Sequence, residues 1–408
     1  MKFSVFFRTT EIAELVGERG RLRLRYLPEV VAAGEPALSL RLPIRSEPYL
    51  HDDVNPFFAN LLPEDEHRHL LARVLGLSDR NVAGLLGAIG GECAGAVSIW
   101  PSGEGPPKKP EYVALSGSDI RRLLEAKDAA NRLNVVKDGR LSLAGGMEKL
   151  CLRSVEGRWA RGRGGAPTTH ILKWAPASHP DLSLNELFCL ELLREIGLPV
   201  VDARLEGERF QVLVVKRFDR TEDQSRPILP VHQEDFCQAL GVEPSQKYQA
   251  EGGPSVAQCA EVLGQAASVP ARERQLLLRW VVANFMVGNC DAHGKNIALL
   301  YGGGGTRLAP FYDVVSTRVY PSLSRKMSMA IGKEYRIQYV RQRHWERMAE
   351  SLGVRAGVVV DEALRMSEAM VEGTVAVTER LVSQYGRHPV FRSVADVVAR
   401  HGAQLRGS

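Results

Sequence analysis

The stretch that decides the fold is NCDAHGKN, residues 289–296, which follows an apolar helical segment and precedes an apolar strand-like one. Phosphoryl transfer needs a carboxylate that orients or deprotonates the attacking hydroxyl, and an amide oxygen that holds Mg²⁺ nearby. Asp291 and Asn296 supply these two groups, so the loop predicts a catalytic base and a metal ligand. His293 and Lys295, in the same loop, are further candidates for contact with a nucleotide.

A glycine-centred hairpin follows this loop. Residues 296–315, NIALLYGGGGTRLAPFYDVV, contain two apolar strands joined by the four glycines at 302–305, which we expect to form a flexible turn. Asp313 ends the second strand, where the chain reversal would bring its carboxylate back towards Asn296. Alone, Asp313 could equally cap a turn. Combined with D-x-H-x-x-N, it predicts a second oxygen ligand of the kind that Mg²⁺ prefers.

Two upstream residues offer partners for a nucleotide. Lys173 ends the strand-like stretch HILKW, and Glu186 opens the next helix. In kinases, a lysine contacts the α- and β-phosphates and an acidic partner on a helix holds it in place. A surface lysine is the alternative for Lys173 taken alone, but the order of the two elements favours a functional ion pair with Glu186.

A phosphate loop and a hinge complete the candidate site. SLAGGMEK, residues 142–149, could present successive backbone N–H groups to phosphates, although two glycines also suit a plain turn and no GxGxxG or GxxxxGK[ST] motif is matched. The candidate residues are Ala144, Gly145, Gly146, Met147, Glu148 and Lys149. Lys216, Arg217 and Phe218 follow a strand and would form a hinge whose backbone binds adenine; an edge strand with a solvated charged tail is the alternative.

Composition places the chain among ordinary globular proteins. Hydrophobic residues make up 44% and charged residues 25%, and the net charge of +5 is too small for this length to argue for nucleic-acid binding. Six cysteines form no CxxC pair, which predicts buried free thiols and a cytoplasmic, reducing location. We expect neither a signal peptide nor a membrane span, since no apolar stretch reaches the roughly 20 residues that cross a bilayer.

The order of elements predicts an α+β fold with three regions. Residues 1–105 combine strands with a helical segment and end in the linker-like PSGEGPPKKP, residues 101–110. Residues 106–230 contain a sheet that carries one helix. Residues 231–408 form a mostly helical lobe, with the catalytic loop and the metal site.

Read in order, a series of segments resembles the HipA family of kinase toxins: LSLAGGMEK, PTTHILKWA, LNELFCLELLREIGLPV, VVKRFDR, QEDFCQALG, KYQAEGGPSVA, NCDAHGKN and LAPFYDVVS. The similarity extends to LSLRLPI, FFANLLPEDEHR and LLGAIGGECAGAVSI, so it covers most of the chain. It implies an atypical two-lobed protein-kinase-like fold with an N-terminal mixed α/β subdomain and a mostly α-helical C-terminal lobe.

The resemblance also implies roles for single residues. Asp291 would be the catalytic base, Lys173 would contact the phosphates, and His293 would lie close to the nucleotide. Asn296 and Asp313 would hold Mg²⁺, residues 144–149 would form the phosphate loop and residues 216–218 the adenine hinge.

Three loop and hinge positions carry a further implication of the resemblance. Family members phosphorylate a serine at the front of the phosphate loop, and Ser142 matches that position. A phosphate there adds about two negative charges and would eject the loop. Met147 departs from the family's usual glutamine, which could weaken ATP binding, and Lys216 is not the residue expected in the hinge.

By resemblance, the protein is the toxin half of a type II toxin-antitoxin pair. It would phosphorylate an aminoacyl-tRNA synthetase, most familiarly the glutamyl enzyme, and so arrest growth. A HipB-like helix-turn-helix antitoxin would neutralise it and provide the only route to operator DNA. Two alternatives stay open: a small-molecule kinase of the aminoglycoside or choline kinase type, and an inactive kinase fold that binds an antitoxin or DNA.

Overall fold

Strands and helices alternate early in the chain and helices dominate its end. The computed structural model describes residues 1–125, 138–142, 149–176, 178–207, 212–221 and 228–407. The strands in these ranges are β1 (Lys2–Phe7), β2 (Thr10–Glu18), β3 (Arg21–Tyr26), β4 (Val97–Pro101), β5 (Glu111–Ala114), β6 (Lys149–Val155), β7 (Arg158–Arg163), β8 (His170–Trp174), β9 (Ala203–Glu206), β10 (Val212–Lys216), β11 (Arg220–Thr221), β12 (Leu229–Pro230), β13 (His232–Asp235), β14 (Ala298–Gly302), β15 (Gly305–Leu308), β16 (Lys326–Ile331) and β17 (Glu334–Arg336). The α-helices are α1 (Pro28–Ala33), α2 (His51–Asn60), α3 (Asp65–Leu75), α4 (Val82–Ile89), α5 (Gly117–Glu125), α6 (Leu182–Glu195), α7 (Phe236–Leu240), α8 (Val256–Ala266), α9 (Pro270–Val287), α10 (Gln342–Leu352), α11 (Ala356–Tyr385) and α12 (Pro389–Arg406).

These elements form two compact units. Unit 1 contains Met1–Lys173, Lys216–Ser245 and Leu300–Gly302. Unit 2 contains Trp174–Val215, Gln246–Leu299 and Gly303–Ser408. The mixture of antiparallel sheets and helices confirms the predicted α+β class.

The N-terminal sheet of unit 1 has the strand order β3-β2-β1-β4 and buries one face. Val5 of β1 lies opposite Ala13 of β2 on one side and Ile99 of β4 on the other. In β3, leucines and a tyrosine alternate with exposed arginines, because successive side chains of a strand point to opposite faces. The buried face packs with the aromatic rings of α2, Phe57 and Phe58.

A second sheet of unit 1 brings two predicted site residues side by side. Its antiparallel strands follow the order β5-β7-β6-β8. In the pairing of β6 with β8, Lys149 lies opposite Lys173, and Leu150 lies opposite Leu172. The end of the predicted phosphate loop and the predicted phosphate-binding lysine are therefore cross-strand neighbours.

Unit 2 is mostly helical and is built around α9. Ser255 caps α8 in a capping box with Gln258, and Pro270 starts α9, where its missing N–H has no helical partner to lose. Helices α8, α11 and α12 pack on α9. Its Phe285 meets Trp345 of α10 edge to face, at 5.3 Å between ring centroids. This packing gives the loop after α9 a rigid support.

Several element predictions are confirmed, and one region is wrong. The strand at 170–174 and the hairpin around the four glycines lie where the sequence placed them. The lobe predicted to be mostly helical from residue 231 begins instead with a short strand, β13, because His232 and Glu234 alternate inward there. The strand β2 was not predicted.

Three further expectations concern the cysteines, the membrane and the linker-like stretch. All six cysteines are buried and free, as predicted. In the described ranges, each helix is too short or too polar to cross a membrane. The stretch 101–110, predicted as a linker, lies within unit 1.

Candidate active site

The predicted catalytic loop begins where α9 ends. Gly288 adopts a left-handed conformation (φ +72°), which glycine reaches without steric cost, and turns the chain out of the helix. The next residue, Asn289, is buried. Its side-chain Nδ2 donates to Asn284 Oδ1 at 2.8 Å and to the Asp313 carbonyl at 3.4 Å. Asn289 therefore ties the start of the loop to the predicted metal ligand.

The backbone just before the predicted base is held from two sides. The Cys290 N–H donates to Thr317 Oγ1 at 2.9 Å. Its carbonyl accepts from the Ser328 hydroxyl at 2.8 Å and from the Ser328 N–H at 2.9 Å. These bonds fix the backbone at the position from which the exposed side chain of Asp291 projects.

Asp291 meets a residue that sequence reasoning missed. The Tyr248 hydroxyl donates to Asp291 Oδ1 at 2.9 Å, and the Tyr248 ring packs edge to face on His293 at 5.5 Å between centroids. The Asp291 N–H donates to Asn289 Oδ1 at 3.0 Å. The carboxylate is thus oriented by an aromatic side chain from outside its own loop.

The other polar residues of the loop are buried. His293, Lys295 and Asn296 are each less than a tenth exposed. The N–H groups of Lys295 and Asn296 donate to Nδ1 and to the carbonyl oxygen of His293, at 3.3 and 2.9 Å. The Lys295 carbonyl accepts from the Tyr312 hydroxyl at 2.8 Å. These bonds make the loop a compact turn rather than an extended segment.

The residues predicted to bind Mg²⁺ fit a small hard cation. Asn296 Oδ1 is buried and accepts no hydrogen bond from the described part of the chain, a costly state for an amide oxygen unless a ligand completes it. Asp313 is half-buried and has φ +53°, a conformation that costs a non-glycine residue energy and recurs at functional sites. Among the described residues, no group of three or more His, Cys, Asp or Glu side chains could hold a metal, so the amide and carboxylate oxygens here are the candidate donor set.

The predicted phosphate-binding lysine and its acidic partner are both buried. Lys173 is 6% exposed in β8, between the buried side chains of Leu172 and Trp174. Glu186 is 1% exposed near the start of α6. Lys173 belongs to unit 1, and Glu186 belongs to unit 2.

The predicted phosphate loop is described only at its two ends. Ala144, Gly145, Gly146, Met147 and Glu148 lie outside the described residues. Just before the loop, Ser142 is completely buried, and its hydroxyl donates to the Leu61 carbonyl at 2.7 Å. Its N–H donates to the Glu92 carbonyl at 2.8 Å. The predicted phosphorylation site is therefore docked inside unit 1.

The predicted hinge is anchored by its middle residue. Lys216 and Phe218 are half-buried, whereas Arg217 is 3% exposed. The Arg217 N–H donates to the Thr169 carbonyl at 2.9 Å. Its side chain points into the interior of unit 1, where it belongs to a charged cluster, so only its backbone carbonyl is left for a ligand.

That cluster, the buried ion network, consists of Glu92, Arg217, Asp219 and Arg220. Glu92 Oε1 accepts from both guanidinium groups, at 3.0 Å from Arg217 and 3.3 Å from Arg220, and from the N–H and hydroxyl of Thr168 at 2.6 and 2.9 Å. Arg217 and Arg220 each lie 2.9 Å from Asp219 Oδ2. Burial opposes ionisation of Asp219, but the two guanidinium groups outweigh it and hold its pKa far below the usual range.

Comparison with known proteins identifies the relationship. The HipA N-terminal domain model matches residues 3–100, and the HipA-like C-terminal domain model matches residues 141–378. A putative kinase of Sinorhizobium fredii, Y4mE, is 37% identical over 90% of this chain and 89% of its own. The serine/threonine-protein kinase toxin HipA of Shewanella oneidensis is 28% identical over 87% and 82%.

A solved structure agrees with these matches. It is the complex of Shewanella oneidensis HipA and HipB with operator DNA, which shares 25% identity and a TM-score of 0.82 over 99% of this chain and 96% of that one. The structural match therefore spans nearly the whole length of both chains and includes the two regions that the family models match. This chain belongs to the HipA family.

Proposed function

We propose that this protein is an ATP-dependent serine/threonine protein kinase in which Asp291 is the catalytic base and Asn296 and Asp313 bind Mg²⁺. The observation that carries the proposal is the buried, unpartnered Oδ1 of Asn296 in the same short loop that exposes Asp291. A purely structural asparagine would satisfy its amide oxygen within the fold. The relatives named as kinases support the same reaction class.

The chemistry assigned to the loop is proton acceptance at one atom. The Asp291 carboxylate would accept a hydrogen bond from the substrate hydroxyl, and finally its proton, while that oxygen attacks the γ-phosphorus and the bond from the γ-phosphorus to ADP breaks. Tyr248 already donates to Oδ1, so Oδ2 is the oxygen assigned to the substrate. A bound Mg²⁺ would supply positive charge against the phosphates. Asn289 would maintain the position of Asp313 through its bond to the Asp313 carbonyl.

Further residues of the chain would contact the nucleotide. Lys173 would bind the phosphates with Glu186 as its ionic partner, residues 144–149 would form the phosphate loop, and the backbone of residues 216–218 would bind adenine. His293 and Lys295 would contact the nucleotide from the catalytic loop. The cross-strand pairing of Lys149 with Lys173 supports a role for both in binding anionic phosphates.

Self-inactivation through Ser142 is part of the proposal. The hydroxyl is buried against the Leu61 carbonyl, so phosphorylation requires this segment to leave unit 1 first. A phosphorylated Ser142 could not return, because a dianion would then face a carbonyl oxygen in an apolar setting. The exposed form would thereby be made permanent.

The biological role we propose is that of a type II toxin. A HipB-like helix-turn-helix protein would be the antitoxin partner and would provide the link to operator DNA. The substrate would be an aminoacyl-tRNA synthetase, with the glutamyl enzyme as the first candidate, and its phosphorylation in the cytoplasm would arrest growth and cause persistence. The Shewanella oneidensis relatives named as a kinase toxin and as a HipA, HipB and operator DNA complex support this role.

A transfer assay tests the proposal. The purified protein, its Asp291→Asn variant and an Asp361→Asn control are incubated with γ-labelled ATP and Mg²⁺, alone and with bacterial extract, and labelled residues are found by mass spectrometry. Asp361 is exposed on α11, so its variant should match the wild type. We expect label on Ser142 and on an extract protein, lost with Asp291→Asn or EDTA. Label on small molecules alone would favour a small-molecule kinase, and no ATP binding would favour an inactive module.

A further inference from the structure

Three arginines without partners lie together beside the catalytic loop of unit 2. Arg318, Arg325 and Arg400 form what we call the arginine cluster. In the described residues, none of their side chains makes a hydrogen bond or salt bridge. Arg318 is half-buried, whereas Arg325 and Arg400 are exposed. Among the described residues, the half-buried Arg279 does have a partner, Glu362, at 2.6 Å.

The cluster is placed by backbone contacts with the loop itself. The Arg318 N–H donates to the Gly288 carbonyl at 3.2 Å. A Cβ on Gly288 would lie 2.7 Å from Arg318 Cγ and 2.9 Å from Val397 Cγ1, so these two side chains flank the glycine. Arg400 follows Val397 by three residues on α12, which puts it on the same side of the helix.

The third arginine reaches the loop through β16. Arg325 directly precedes this strand, and Ser328 of the strand bonds to the Cys290 carbonyl. Three separate chain segments thus converge on residues 288–290, immediately before Asp291. The arginine cluster therefore lies within a few residues of the proposed catalytic base, Asp291.

The electrostatics of the cluster favour the binding of an anion. The pKa of Arg318 is lowered first by burial and then by the positive charges of Arg325 and Arg400. Its Nε is buried and has no acceptor in the described chain. The three guanidinium groups repel one another, and the buried Nε of Arg318 lacks an acceptor. An anion with several oxygen acceptors would relieve both costs by binding here.

We propose that the arginine cluster binds an acidic segment of the protein substrate, a few residues from its phosphoacceptor serine or threonine. The inference rests on the proposed kinase function. A protein segment is favoured over nucleic acid because the cluster adjoins the residue before the catalytic base and is compact, whereas a nucleic-acid backbone is bound by an extended row of charges. Guanidinium groups also pair well with carboxylates through two hydrogen bonds.

A binding measurement tests this without relying on catalysis. Fluorescence anisotropy would compare a labelled peptide with one serine flanked by four glutamates against the same peptide with four glutamines. We expect the glutamate peptide to bind more tightly than the glutamine peptide. Its affinity should fall as the salt concentration rises. The Arg318→Gln and Arg400→Gln variants should each weaken its binding about fivefold, the effect of losing one exposed ion pair. The Arg343→Gln variant, at an exposed arginine of α10, should bind like the wild type.

Other outcomes overturn the inference. Equal binding of the two peptides, or equal loss in the Arg343→Gln control, would show that the cluster does not select acidic segments. Arginine-dependent binding of duplex DNA in place of the glutamate peptide would assign the cluster to nucleic acid. Glutamate-selective binding without any phosphotransfer would support the cluster and refute the proposed kinase function instead, so the two failures are distinguishable.

Discussion

Replacing Glu92 by glutamine should destabilise unit 1 far more than the loss of one hydrogen bond. Two carboxylates and two guanidinium groups balance in the buried ion network, and all four side chains are at most 4% exposed. The Glu92→Gln variant keeps the shape but leaves Arg217 and Arg220 with one carboxylate between them. It also turns an acceptor of four hydrogen bonds into a weaker, neutral one.

The expected magnitude follows from the burial. Removing one partner of a buried ion pair costs about 3 to 5 kcal/mol, because the remaining charge is uncompensated. Residual pairing of both arginines with Asp219 places the expected loss of unfolding free energy near the lower end, about 3 kcal/mol. A matched Glu11→Gln variant, at an exposed glutamate of β2, should change this free energy by no more than about 0.5 kcal/mol.

Urea unfolding followed by circular dichroism would measure the difference, with the wild type and both variants at equal ionic strength. Since the network is shielded from solvent, the loss should persist when the salt concentration is raised. A loss below about 1 kcal/mol for Glu92→Gln, or one equal to that of Glu11→Gln, would refute the argument that charge balance inside the network stabilises the unit.

Four further outcomes are expected. The Tyr248→Phe variant, which loses the hydroxyl that orients Asp291, should lower kcat for labelled phosphate transfer about fivefold, the rate equivalent of one hydrogen bond of about 1 kcal/mol, without a change in Tm. An Asn296→Leu variant should lose Mg²⁺-dependent transfer yet unfold at the same temperature or higher, since it removes a buried, unpartnered amide oxygen; a lower Tm would mean that the amide is structural. Burial raises the pKa of Glu234 from 4.5 to about 7, so its contribution to stability is complete below pH 4.5 and is lost as the pH rises through 7. The unfolding free energy measured in urea should fall by about 3 kcal/mol over this range, and the Glu234→Gln variant should not show the fall. Burial lowers the pKa of His401 from 6.5 to about 4, so its contribution is present above pH 6.5 and lost as pH falls through 4; unfolding titrations of a His401→Gln variant, which cannot be protonated, should lack that acid slope.

Local sequence suggested the candidate site residues that share one loop. Asp291 and Asn296 were proposed as site residues because their residue types and spacing match the needs of phosphoryl transfer, and the hairpin after them was evident from its four glycines. The structure adds why the loop is rigid, which depends on Asn289 and on packing against α9. That support comes from tertiary contacts that no local pattern encodes.

Long-range contacts account for what the sequence did not predict. Tyr248 precedes Asp291 by 43 residues, and no spacing rule joins an isolated tyrosine to a loop so far away. Glu92 precedes Arg217 by 125 residues, so the charged VVKRFDR segment could be interpreted as a solvated tail. The strand β13 was overlooked because four residues are too few for a clear alternation.

Docking of Ser142 against Leu61 makes self-phosphorylation, as proposed, a question of timing. Only the fraction of molecules whose segment has undocked can react, so each 1.4 kcal/mol of docking free energy would slow the modification about tenfold. Undocking alone is reversible, but a phosphate prevents the return, so successive brief openings add up over time. The strength of one small interior contact would then determine how long each newly made molecule stays active before it silences itself.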